Sequence, residues 1–113
     1  MNIVPEENYN IKTFKYKYDD ARIQIQEIIK NYIYSENWLD GLSLNFLINI
    51  SMEKNIFCYI TKKNDLVISF AILKKNINSM LLLFIYTINK FRRKGFANNI
   101  LMNCNNLTVN FKN

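Results

Sequence analysis

The stretch of the chain with the most chemical content is Thr87-Ile88-Asn89-Lys90-Phe91-Arg92-Arg93-Lys94-Gly95-Phe96-Ala97, a basic loop between an apolar run and a helical pattern. A helix start exposes unpaired backbone N–H groups and roughly half a positive charge, so carboxylates belong there. Arg92, Arg93 and Lys94 stand there instead. Each such cation costs about 0.3–1 kcal/mol at an exposed helix start. An anion docked on the N–H groups reverses that sign, and Gly95, with no Cβ, lets a phosphate come close to the backbone. The loop therefore reads as a phosphate cradle, with a solvated basic loop as the plain alternative.

Other site chemistries find little support. The chain has no histidine, and Cys58 and Cys104 each sit alone in an apolar pattern, so nothing completes a zinc site or a Cys-His pair, and no metal is expected. Charge is unevenly spread: residues 1–56 carry six cations against eight anions, whereas residues 57–113 carry nine cations against Asp65 alone. An anionic ligand is expected on the second half. The abundance of Lys, Asn and Ile fits an AT-rich coding sequence, so clustered lysines count and scattered ones do not.

The elements that must hold the loop follow from composition and periodicity. At 113 residues, 50% hydrophobic and 21% charged, the chain has the size and composition of one globular domain over residues 1–113. Residues 9–18 alternate as a first strand (β1), with a phase slip at Phe14. Asp19 and Asp20 suit helix caps, and Ala21, Ile25, Ile28, Ile29, Tyr32 and Ile33 then recur on one helical face (α1). A second helix (α2) from Asp40 buries Leu42, Phe46, Leu47 and Ile50, although Leu42, Leu44 and Phe46 also alternate as a strand does. Strands follow at 56–61 (β2), 66–73 (β3) and 80–88 (β4), separated by polar turns at 62–65 and 76–79. The run 80–88 is apolar at nearly every position, the pattern of a strand buried on both faces and central in its sheet. Past Gly95, Phe96, Ala97, Ile100, Leu101 and Cys104 line a third helix (α3), and residues 107–111 form a last strand (β5) parallel to 80–88. The apolar runs 67–73 and 80–86 fall far short of the roughly 18–20 residues a membrane span needs. The first seven residues have neither a basic start nor an apolar core, so a cytoplasmic protein without a membrane partner is expected.

Strand, Arg92-x-x-Gly95-x-Ala97 and helix together resemble the coenzyme A pyrophosphate motif of the GNAT superfamily of N-acetyltransferases, Gln or Arg-x-x-Gly-x-Gly or Ala. The element order is similar as well. The resemblance implies an α/β (α+β) fold with a mixed sheet, order β1-α1-α2-β2-β3-β4-α3-β5, ending before the family's usual final helix and two strands. It implies acetyl-CoA (CoA) as cofactor, with pyrophosphate on the backbone of Arg93, Lys94, Gly95, Phe96 and Ala97. Arg92 opens the loop, and pantetheine pairs with the strand at Ile85 and Thr87. Two departures stand out: the strand position where several members carry a glutamate base matches Leu81, and the family's tyrosine acid lies beyond Asn113.

The expected reaction is direct attack of a primary amine, on a protein or a small molecule, on the acetyl thioester, with the oxyanion held by strand amides. An amine of pKa about 10.4 must first lose a proton, a handicap of about 4.6 kcal/mol at pH 7. Glu53, Glu36 and Asp40 are the carboxylates available for that task through water, and Tyr86 is the hydroxyl nearest the pantetheine contacts; the leaving thiol, of pKa about 8.5, departs tolerably unaided. The alternative function is a degenerate module that binds or inhibits a protein partner. The short apolar edge at Leu107, Val109 and Phe111, guarded by Lys112, is expected to be covered by a second copy of the chain or by a partner protein. A nucleic-acid binder, suggested by the basic half and by Phe57, Tyr59 and Phe91, ranks third. Oligonucleotide affinity is accordingly expected to be weak and to collapse between about 50 and 200 mM salt in a fluorescence titration; tight, sequence-selective binding at physiological salt would contradict the acetyltransferase reading.

Overall fold

The computed structural model describes residues 11–33, 41–102 and 107–108. Five strands form one sheet in the order β1-β2-β3-β4-β5, with β1 at Ile11–Lys17, β2 at Ile56–Lys63, β3 at Leu66–Lys75, β4 at Met80–Thr87 and β5 at Leu107–Thr108. The first four pair antiparallel, and β5 runs parallel to β4 through Met80↔Leu107 and Leu81↔Thr108. Helix α1 (Tyr18–Ile28, prolonged by a π turn at Ile29–Ile33) and α2 (Gly41–Ile50) precede β2, and α3 (Phe96–Met102) joins β4 to β5. This is the expected mixed α/β sheet in the expected order.

Strand alternation sorts the core into two layers. Ile56, Cys58, Ile60, Phe70 and Ile72 meet Ala21, Ile25 and Ile28 of α1 and Leu47 and Ile50 of α2 on one face. Phe57, Tyr59, Ala71, Leu73 and Met80 meet Ile100 of α3 on the other. Phe70 anchors the first layer: fully buried, it stacks on Phe84 at 5.7 Å and lies 6.1 Å from Tyr86. Burial at the centre of this layer pushes the Cys58 thiol far above its ordinary pKa, so it behaves as a small apolar side chain.

Several expectations are corrected. The strands buried on both faces are β2, from Ile56 to Thr61, and the central β3, from Val67 to Leu73, whereas Leu81 to Thr87 of β4 are only half-buried. The apolar run of β4 misleads because, among the described residues, β5 pairs with its first two positions only. Asp19 and Asp20 are not caps: pairing of Lys17 with Phe57 keeps the chain extended up to the helix, so Lys17 takes the cap position. Both aspartates fall inside the first turn, where Asp19 pairs with Arg22 and both complement the helix dipole. Phe46 is 50% exposed rather than buried, although its ring still lies 6.4 Å from Phe84. The polar turn at 62–65 narrows to Asn64-Asp65, since Lys62 and Lys63 remain paired with β3, and Asn64 adopts the left-handed backbone (φ 55°) that the tight turn needs. The expectations placed on Tyr9, Glu36, Asp40, Cys104, Val109, Phe111 and Lys112 lie outside the described residues, as do those on the side chains of Tyr32, Ile33, Leu42 and Leu107. Among the described residues, no helix is long and apolar enough to cross a membrane.

Phe70→Ala removes the side chain on which the first layer converges and is expected to lower stability by about 3–5 kcal/mol in urea unfolding. Phe14→Ser, in edge strand β1, is expected to cost below about 1 kcal/mol, because Phe14 is already 40% exposed.

Candidate functional site

At the end of β4 the chain turns through a single 3-10 turn at Asn89–Phe91 and reaches α3 by way of two left-handed residues, Arg93 (φ 64°) and Gly95 (φ 83°). The first turn of α3 closes with the Asn99 N–H donating to the Gly95 carbonyl at 2.9 Å. A Cβ at Gly95 would meet no other atom within 4 Å, so glycine is favoured there by backbone conformation rather than by crowding, and the space beside it is open. That space belongs to a cleft of about 470 Å³ whose walls include Ile85, Tyr86, Thr87, Arg92, Gly95 and Ala97. Phe91, Arg93, Phe96 and Asn98 complete its lining.

The backbone of β4 offers the cleft an edge. Ile88 N–H donates to Ile68 C=O at 2.9 Å, so alternation turns the polar groups of Tyr86 toward β3 and those of Ile85 and Thr87 away from it. The Thr87 carbonyl on that outer edge accepts from Arg92 Nε at 2.9 Å, and the Arg92 guanidinium lies 5.3 Å over the Tyr86 ring. Arg92 therefore braces the loop against the end of β4. Further up the strand the register shifts: Ile72 faces Phe84 and Leu73 faces Leu82, leaving Leu83 as a bulge. A bulged residue keeps an amide that the neighbouring strand does not use. Composition carries no sign of it, since no glycine marks the position.

The residues expected to hold the cofactor come together with one exception. Ile85, Thr87, Arg92, Arg93, Gly95, Phe96 and Ala97 all line the cleft, as does Tyr86, whereas Lys94 is not part of the wall and holds its ammonium 5.6 Å over the Phe91 ring. Glu53 is not brought to the cleft. It stands before β2 with its carboxylate 3.4 Å from Lys74 Nζ. Lys74 pairs with Leu81, which lies about 20 Å along β4 from Thr87 at roughly 3.3 Å per residue. The aromatics considered for base stacking are also committed. Phe57, Tyr59 and Phe91 are buried, with Lys15 over the first two and Lys90 and Lys94 over the third.

No protein-family model matches the chain, and no curated protein matches it. Solved structures do. A ribosomal-protein-alanine N-acetyltransferase from Brucella melitensis biovar Abortus 2308 is 11% identical with a TM-score of 0.60, covering 90% of this chain and 80% of its own. A GNAT family acetyltransferase from Staphylococcus aureus is 20% identical with a TM-score of 0.55, over 92% of this chain and 88% of its own. AAC(6')-Iy, in complex with the bisubstrate analog CoA-S-monomethyl-acetylneamine, is 13% identical with a TM-score of 0.50, over 89% of this chain and 80% of its own. At these identities the likeness is one of backbone alone: the chain has the fold of the GNAT acetyltransferases.

Proposed function

We propose that the protein binds acetyl-CoA in the β4–α3 cleft and transfers the acetyl group to a primary amine. The observation that carries this reading is the coincidence of three features in one cleft. It has a β4 edge free of β3, an open space beside left-handed Gly95, and the cations Arg92 and Arg93 in its wall. The pyrophosphate would lie on the backbone N–H groups from Arg93 to Ala97, where it offsets the excess positive charge of the loop. The pantetheine arm would run along the outer edge at Thr87 and Ile85 toward Leu83. Because Arg92 already occupies the Thr87 carbonyl, the arm's partners on β4 are the Thr87 N–H and the polar groups of Ile85.

The thioester then lies near the bulge, whose amide is a preorganised donor for the tetrahedral oxyanion. Attack forms the C–N bond, collapse breaks the C–S bond, and the thiolate leaves with CoA. Proton removal from the amine is assigned to Glu53, acting through water: its partner Lys74 is paired with Leu81, two positions before the bulge. Tyr86, in the cleft wall, is the proposed proton donor to the departing thiolate. The placement of Leu81 where several GNAT members carry a base favours a second reading, a module that binds CoA without turnover and acts on a protein partner.

CoA or acetyl-CoA is expected to raise the melting temperature, as a ligand of the native state alone must. Gly95→Glu fills the open space with a carboxylate and is expected to abolish the shift. No shift at millimolar ligand with the protein folded would overturn the cofactor reading. In a thiol-release assay with an amine acceptor, Glu53→Gln and Tyr86→Phe are each expected to lower kcat by roughly 10²-fold or more with the KM for acetyl-CoA unchanged, the usual worth of a general base or acid. Stabilisation by CoA without thiol release from any amine would select the binding module.

A further inference from the structure

Resting on the reading of the cleft as a CoA site, we propose that Ser69 is the positioning residue of its wall, a buried hydroxyl that fixes the Tyr86–Thr87 segment and makes the Thr87 hydroxyl a hydrogen-bond acceptor for the ligand. Ser69 is 1% exposed and stands between Ile68 and Phe70 in the buried central strand β3. A hydroxyl in such surroundings is unfavourable unless it is bonded, and an apolar residue would serve packing alone. Ser69 is bonded twice, both times to the end of β4: its Oγ donates to the Tyr86 carbonyl at 3.1 Å and lies 2.9 Å from Thr87 Oγ1.

Proton accounting gives the second bond a direction. Ser69 has one hydroxyl proton, and a carbonyl can only accept, so the bond to Tyr86 uses that proton. The contact with Thr87 then requires the Thr87 hydroxyl to donate to Ser69. Thr87 Oγ1, in a residue of the cleft wall, is left with lone pairs alone, and it suits an N–H donor such as an amide of the pantetheine arm. Arg92 Nε holds the Thr87 carbonyl from the other side at 2.9 Å, so the segment that meets the ligand is clamped between β3 and the loop. The sheet contains a matched reference for this arrangement. Thr61 pairs with Ser69 across β2 and β3, is equally buried at 1%, and makes a 2.9 Å hydroxyl contact with Thr13, yet belongs to no wall of the cleft.

The test titrates CoA calorimetrically into the wild-type chain, Ser69→Ala, Ser69→Thr and Thr61→Ala, and follows amide hydrogen exchange of each free protein. Ser69→Ala is expected to weaken CoA binding about tenfold and to speed exchange at the Ile88 N–H, which donates to Ile68. Ser69→Thr, which keeps the hydroxyl, is expected to bind within about twofold of wild type. Thr61→Ala is expected to lower the melting temperature comparably to Ser69→Ala while leaving CoA affinity unchanged. Should Ser69→Ala fail to fold, the near-isosteric Thr87→Val removes the acceptor that Ser69 orients and is expected to show a loss of at least about tenfold. CoA binding that Ser69→Ala leaves intact, or that Thr61→Ala weakens equally, overturns the role of Ser69 while the cofactor reading stands. Absence of CoA binding by the wild-type chain overturns the cofactor reading itself, and the assignment of Ser69 with it.

Discussion

Every backbone N–H and C=O of a strand needs a partner, and in this protein that requirement is met unequally on the two sides of β4. On one side β3 pairs with it from Met80 to Thr87. On the other, among the described residues, β5 pairs with Met80 and Leu81 alone. Among the described residues, the edge of β4 from Leu82 onward has no strand beside it. The half-burial of Leu81 to Thr87 accompanies the same asymmetry, and the bulge at Leu83 interrupts the ladder with β3 within that stretch.

The rest of the fold holds that edge still. Phe70, stacked on Phe84 and close to Tyr86, fixes the face of β4 that looks toward α1 and α2. Ser69 and Arg92 fix its end from opposite sides, one from within the sheet and one from the loop. The left-handed residues Arg93 and Gly95 then turn the chain so that the start of α3 lies beside the end of β4. Rigid support behind a free backbone edge is what a site built on main-chain hydrogen bonds requires.

Charge is distributed by the same logic. Edge strand β1 carries Lys12, Lys15 and Lys17, charges of the kind that disfavour edge-to-edge pairing, and Lys15 and Lys17 lay their ammonium groups over Phe57 and Tyr59. Phe57, Tyr59 and Phe91 are buried, so these rings offer nucleic acid little to stack on. In the β4–α3 loop the cations differ in role: Arg92 and Lys94 are drawn onto Tyr86 and Phe91, while Arg93 is exposed in the cleft wall.

The order of elements, the two apolar layers and the location of the basic β4–α3 loop were legible in the sequence because each is written in local periodicity or in a local cluster. Ala21, Ile25 and Ile28 announce α1 by spacing, and Arg92, Arg93, Lys94 and Gly95 announce the loop by a charge pattern that a bare helix start disfavours. Which strand is central was not legible, since an apolar run looks the same whether a neighbour pairs with two of its residues or with all of them. The bulge at Leu83, the cap at Lys17, the placing of Glu53 beside Lys74 and the two hydrogen bonds of Ser69, to Tyr86 and to Thr87, were also decided by tertiary structure. Each depends on which residue of a distant strand comes to lie opposite, and strand register is set by the packing of whole faces rather than by any short stretch of sequence.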